Sequence, residues 1–206
     1  MTESTTTLPA PRLLGLAVIA APIVFLLSDI AYITAGNGIN NGLLGGTIGV
    51  WSCFLLGLTF VAISRVLEPV APRGAVALLL MAIPAASAGA AFNVNAMHWD
   101  HFGNDIVDAA FSDSGATVAI LAFLPWGWFA PASLVVAGVL VWRTQVLPSW
   151  AGAMTAIAGV LFVSARPANI DALAMVADVA MVLGLVPIGL AMLSGRRAPD
   201  RAPEIV

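Results

Sequence analysis

Two carboxylates lie inside long apolar stretches of this chain, where an ionised group is costly. Asp29 falls within the run 13–33, and Asp178 falls within the run 172–194. Ionisable groups at membrane depth are usually paired or functional. Two interpretations therefore stay open: the carboxylates are structural and hydrogen-bond across helices, or at least one lines a cavity and binds a cation or exchanges a proton.

Other polar residues are expected at a similar depth. Asn93 and Asn95 stand near the end of the third apolar run, and Arg166 ends the fifth. If the runs cross a membrane alternately, these side chains and the two aspartates all fall in its outer half. The sequence thus predicts a polar cluster there, including an ion pair of Arg166 with either Asp29 or Asp178.

Aromatic residues open the fourth apolar run, with Trp126 and Trp128 among them. Tryptophan is enriched where a membrane meets water, so these rings are expected to anchor the outer end of that helix. The alternative is an aromatic wall facing Asp29 and Asp178. Such a wall would suit an apolar or cationic ligand.

Both histidines of the chain lie between the third and fourth runs. On a continuous helix, His98, His101, Asp105 and Asp108 would share one stripe, because they are spaced by three and four residues. A solvated amphipathic segment in the outer interface is one interpretation. A divalent metal site is another, since imidazole and carboxylate are ordinary zinc ligands. A proton relay or a lid that contacts substrate is the third, and Gly103 could interrupt the helix on which all three depend.

The composition places these residues in a membrane protein. Hydrophobic residues make up 60% of the 206 residues and charged residues 9%, with a mean hydropathy of +0.99, whereas soluble domains carry about 25% charged residues. With no lysine and scattered arginines, no basic surface for nucleic acid is expected. The single cysteine, Cys53, is expected to be a buried thiol.

Six apolar runs are long enough to cross a bilayer as helices, which satisfy every backbone amide internally. They are 13–33, 43–64, 74–96, 118–142, 149–166 and 172–194. The sequence predicts an all-α integral membrane protein: a compact bundle of six transmembrane helices (residues 13–195), with short tails at 1–12 and 196–206. A short amphipathic external segment would link the third and fourth helices.

The arginines predict the orientation of this bundle, since short cytoplasmic loops retain positive charge. With the N-terminus inside, both termini are cytoplasmic and Arg166 alone is external. The cytoplasmic arginines are then Arg12, Arg65, Arg73, Arg143, Arg196, Arg197 and Arg201. The alanine-rich, lysine-free composition is typical of bacteria of high GC content, so the expected location is the plasma (inner) membrane.

Small residues indicate where these helices approach closely. Gly42 with Gly46, and Gly45 with Gly49, have the four-residue spacing that brings membrane helices together. Packing within the chain is favoured over dimerisation, although a homo-oligomer or a membrane-protein partner stays open.

Three functions follow from these features. The first is binding or transport of a small molecule at an outer-facing cavity lined by acids and aromatics. The second is a membrane-embedded enzyme that uses acid/base catalysis on a lipid or isoprenoid. The third is an accessory subunit of a membrane complex.

Overall fold

The computed structural model describes residues 10–112 and 125–195, which form helices joined by short turns without any strand. The helices are α1 (Ala10–Ala35), α2 (Leu43–Leu67), α3 (Pro72–Phe102), α4 (Asn104–Phe111), α5 (Phe129–Thr144), α6 (Ser149–Ala165) and α7 (Asp171–Leu193). The predicted all-α class is confirmed for these residues. Most of the two predicted tails, and residues 118–124 of the predicted fourth run, lie outside the described residues.

Five of the described helices are long and apolar enough to cross a membrane. They are Leu13–Ala35, Leu43–Leu67, Pro72–Phe102, Pro125–Thr144 and Asp171–Leu193. The remaining predicted span is α6, which is apolar but has only 17 residues. At 1.5 Å per residue it is about 25 Å long, somewhat less than the hydrocarbon thickness of about 30 Å. The fold is therefore a multi-pass helical bundle with five candidate spans.

The outer faces of the bundle are apolar, as a lipid environment requires. On α3, Leu80 and Ile83 are 71% and 73% exposed. Large exposed apolar surfaces are uncommon on soluble monomers. In lipid the same surface carries no such penalty, because the surrounding chains are equally apolar.

The six helices other than α4 form a closed ring. Contacts run from α1 to α2, α2 to α3, α3 to α5, α5 to α6, α6 to α7, and from α7 back to α1. The helices approach closely at the α1–α2 and α5–α6 interfaces because glycines, which have no side chain, lie there. A Cβ atom at Gly45 would collide with the Tyr32 ring, and one at Gly152 would lie 2.7 Å from the carbonyl oxygen of Gly138.

The turns 36–42 and 166–170 meet at one end of the ring, together with the α3–α4 junction. The Asn40 amide donates a hydrogen bond to the carbonyl oxygen of Arg166 (3.1 Å), and the Asn41 amide donates to the side chain of Asn104 (3.1 Å). The Asp100 carboxylate of α3 accepts the backbone N–H of Leu43 (2.8 Å), which is an otherwise unpaired donor at the start of α2. We call this end, defined by these two turns and the α3–α4 junction, the turn end.

Candidate functional site

An ion pair joins the first and sixth helices near the turn end. Asp29, which is fully buried on α1, accepts a hydrogen bond at Oδ1 from Nη2 of Arg166, the residue that follows α6. The sequence predicted that Arg166 pairs with either Asp29 or Asp178. The structure selects Asp29. Because neither charge has free access to water, each depends on the other for compensation.

Aromatic and amide groups hold the Arg166 side chain, which is only 13% exposed. Its guanidinium carbon lies 4.6 Å from the centre of the Phe25 ring and 5.0 Å from that of Phe162. Guanidinium groups at such distances are attracted to the ring faces. Nη1 donates to Oδ1 of Asn40 (3.2 Å), whose amide in turn donates to Oδ1 of Asn169 (2.9 Å). The cation is therefore fixed in position.

Asp178 completes a buried cluster of three ionisable groups. It is 1% exposed on α7, and its carboxyl group is close enough to that of Asp29 to share a hydrogen bond. The Oδ2 atoms of both aspartates are buried and have no hydrogen-bond donor within residues 10–112 and 125–195. Two carboxyl groups can hydrogen-bond to each other only when one of them carries a proton. This cluster of Asp29, Asp178 and Arg166 is called the triad below.

A cavity of about 500 Å³ lies inside the ring, against the triad. Its wall is built from α1, α2, α3, α5 and α6, with contributions from the turn end and α4. Aromatic and aliphatic side chains form most of it, including Phe25, Leu56, Phe60, Phe92, Trp128 and Phe162. Among the described residues, Arg166 is the only cationic side chain in this wall and Asp108 the only anionic one. Asp29 and Asp178 do not line the cavity, but Asp29 pairs with Arg166, which does.

Asn93 of α3 is a second polar group in the cavity wall. Its Oδ1 accepts a hydrogen bond from the Tyr32 hydroxyl (2.8 Å), and its amide donates to the carbonyl oxygen of Gly89 (2.8 Å). Gly49 makes room for it, since a Cβ atom there would collide with Asn93 Oδ1. Three helices therefore meet at this one side chain.

The other predicted ligand-binding residues lie elsewhere. Asn95 is half-buried on α3 and does not line the cavity, and Trp126 stacks on Phe129 (5.5 Å between ring centres) next to the cavity-lining Trp128. Tyr32 and Asn40 were missed by the sequence analysis. Tyr32 is the single tyrosine of the chain, and Asn40 belongs to the Asn- and Gly-rich turn 36–42, so their residue types were the signals in the sequence.

The predicted stripe of two histidines and two aspartates is interrupted. The helix α3 ends at Phe102, and Gly103, with φ 86° and ψ 148°, turns the chain into α4. His98 and His101 are exposed and pack against the Phe102 ring, whereas Asp108 accepts a hydrogen bond from Trp99 Nε1 (3.1 Å). Within residues 10–112 and 125–195, no group of three or more His, Cys, Asp or Glu side chains is placed to hold a metal ion.

The arrangement offers a fixed cation (Arg166), an amide (Asn93) and the Asp108 carboxylate at the wall of a largely apolar cavity, with the Asp29–Asp178 carboxyl pair behind the cation. It can receive a molecule with an apolar body and orient one polar group. No family model, curated protein or solved structure matches this chain.

Proposed function

We propose that this protein binds a small, largely apolar molecule in the cavity inside its helix ring, either to retain it or to transport it. The cavity itself carries the proposal. Its volume of about 500 Å³ lies within the range of about 300–1,000 Å³ that is usual for small-molecule sites. A bundle that served only as a scaffold would have no need of such a space.

The polar groups of the wall indicate which end of the ligand they hold. Arg166 presents a cation at one side of an apolar space, and the Asn93 amide lies in the same wall. Asp108 of α4 also lines the cavity, but its carboxylate already accepts a hydrogen bond from Trp99 Nε1. Asp29 and Asp178 are outside the wall, so a cationic group beside Arg166 would meet a like charge. These positions favour a ligand with an electron-rich polar group over the cationic ligand considered from sequence.

The proposal includes six membrane spans, with both termini in the cytoplasm of a bacterial cell. The short helix α6 would be the fifth span, since it packs between α5 and α7 along the same ring. Arg65 and Arg143 lie in the last turns of α2 and α5, at the end of the bundle opposite Arg166. Positive charge on cytoplasmic loops then places the turn end outside.

Ligand binding can be tested with three decyl compounds that differ only in the head group: decanol, decanesulfonate and decyltrimethylammonium. The protein is reconstituted in phosphatidylcholine nanodiscs, and binding is measured by calorimetry against empty nanodiscs. We expect decanol or decanesulfonate to bind better than decyltrimethylammonium. If none of the three binds, the proposal is wrong for ligands of this size.

A matched pair of variants on α6 locates the site. Val163 lines the cavity, while Val160 is 58% exposed on the outer face of the same helix. Val163→Trp should fill part of the cavity and weaken binding by about tenfold or more. Val160→Trp adds the same volume on the lipid side and should leave the affinity unchanged. Equal affinities for both variants would show that the compound binds elsewhere.

A further inference from the structure

We propose that the cavity takes up an anionic amphiphile and that its binding at Arg166 is coupled to the uptake of one proton by the Asp29–Asp178 carboxyl pair. This inference rests on the proposed function of the cavity and adds the charge of the ligand and its linkage to protons. The relevant observation is the arrangement of three ionisable groups at the edge of an apolar space, not any one of them alone.

The free protein holds a neutral triad. Arg166 contributes one positive charge, and Asp29 balances it through the ion pair. Asp178 is buried within hydrogen-bonding reach of Asp29, and no other side chain or backbone N–H of the described residues donates to Oδ2 of either carboxyl. One proton shared by the pair lets the two carboxyls hydrogen-bond to each other, and it removes the excess negative charge that two ionised carboxylates would create.

A ligand anion would disturb this balance unless a proton entered with it. The guanidinium has five N–H donors, of which Asn40 and Asp29 take one each among the described residues. Donors therefore remain for an anion in the cavity that Arg166 lines. When that anion arrives, a proton from solvent binds the Asp29 carboxylate, so that Arg166 pairs with the ligand and both aspartates are neutral. The net charge of the triad with its ligand stays zero.

The other titratable groups that face the triad leave the aspartates as the acceptors of this proton. Tyr32 on α1 and Cys53 on α2 interact electrostatically with Asp29 and Arg166. Both already carry a proton in their ordinary neutral forms. Tyr32 also donates its hydroxyl hydrogen to Asn93. Asp108 of α4 also lines the cavity, where its carboxylate accepts a hydrogen bond from Trp99 Nε1, so Asp108→Asn should leave the number of protons taken up unchanged.

Calorimetry with decanesulfonate measures the coupling directly, because this anion does not itself titrate near neutral pH. Binding to the protein in nanodiscs is measured at one pH in two buffers that differ in ionisation enthalpy, which yields the number of protons taken up per ligand. We expect about one proton, and a dissociation constant that rises about tenfold per pH unit over the pH range in which that proton is taken up. This measurement on the wild-type protein does not depend on any variant folding.

Two substitutions identify the proton acceptor. The double variant Asp29→Asn, Asp178→Asn leaves Arg166 without either carboxylate, so decanesulfonate should bind with a proton number close to zero and with little pH dependence. Asp178→Asn keeps the Asp29 charge, so proton uptake should persist. Asp105→Asn removes an exposed carboxylate of α4 and should leave the proton number unchanged.

The outcomes separate this inference from the proposed function. Decanesulfonate binding without proton uptake, or binding of decanol alone, would overturn the inference and leave the cavity as a binding site. Proton uptake that persists in the double variant would also overturn it, since a group outside the carboxyl pair would then be the acceptor. If none of the decyl compounds binds, both proposals are wrong.

Discussion

Asp29 and Arg166 are 137 residues apart in sequence and form an ion pair between α1 and the end of α6. The pair is buried, and the carboxylate is fully enclosed. Pairs of this kind do not necessarily stabilise a fold relative to an apolar core, because both charges lose their hydration. Such a pair makes each charge depend on the other for compensation. Here the Asp29–Arg166 pair also fixes a cation at the wall of the cavity.

Loss of Arg166 should therefore be strongly destabilising. We expect Arg166→Gln to lower the free energy of unfolding by about 3–5 kcal/mol, because Asp29 would be left as an uncompensated buried carboxylate. Unfolding can be measured by denaturant titration in mixed micelles. Arg143→Gln, at an exposed arginine in the last turn of α5, is the matched control and should change stability by less than about 0.5 kcal/mol.

The double variant Asp29→Asn, Arg166→Gln distinguishes the ion pair from simple loss of packing. If the pair is the cause, neutralising both partners should restore part of the lost stability, since no buried charge remains. If the double variant is as unstable as the sum of the two single variants, the two side chains act independently and the interpretation is wrong.

The Tyr32 hydroxyl should contribute a smaller but measurable amount. Tyr32→Phe removes the donor to Asn93 Oδ1 and leaves a buried amide oxygen short of a partner. The expected loss is about 1 kcal/mol, because single hydrogen bonds between membrane helices are worth roughly 0.6 kcal/mol on average and an unpaired acceptor adds to the cost. The stability loss can be measured by thermal denaturation. The control is Thr34→Val: the Thr34 hydroxyl donates to the carbonyl oxygen of Ile30 within α1, so its removal should have almost no effect.

The break between α3 and α4 should depend on Gly103. Its φ of 86° and ψ of 148° lie in a region that is nearly exclusive to glycine. Gly103→Ala should strain this junction by about 1–3 kcal/mol and loosen α4 from α3. We expect faster hydrogen exchange of the amides 104–111 by mass spectrometry. Gly195→Ala, at a remote positive φ of 64°, should leave that exchange unchanged.

The sequence predicted the features of the fold that depend on the apolar character and the length of each segment. A membrane segment must be apolar and must pair its own backbone groups, so the helices are visible as runs of hydrophobic residues. Burial of Asp29 and Asp178, and a partner for Arg166 at the same depth, follow from the same reasoning. The glycine spacing of α2 likewise predicted its close contacts, because Gly45 lies against α1 and Gly49 against α3.

The cavity and its wall could not be predicted, because they depend on how each helix is rotated about its axis. In lipid, the apolar residues of a helix do not reveal which side faces the protein. Asn93 therefore lines the cavity while Asn95, two residues later, does not. The histidine stripe was drawn on a continuous helix, and a single glycine conformation at residue 103 separates its two halves.

The orientation of the bundle, and the crossing of the membrane by α6, give the last prediction. With Cys53 replaced by alanine, single cysteines at Asn37, Glu68, Gln145 and Asn169 sample exposed turns at both ends of the bundle. A membrane-impermeant maleimide applied to intact cells should label positions 37 and 169 and should reach 68 and 145 only after the cells are broken. Positions 145 and 169 flank α6, so labelling of both from the same side would mean that this 17-residue helix does not cross. Labelling of 68 and 145 alone from outside would keep the six spans and reverse the orientation, which would place the triad in the cytoplasmic half of the membrane.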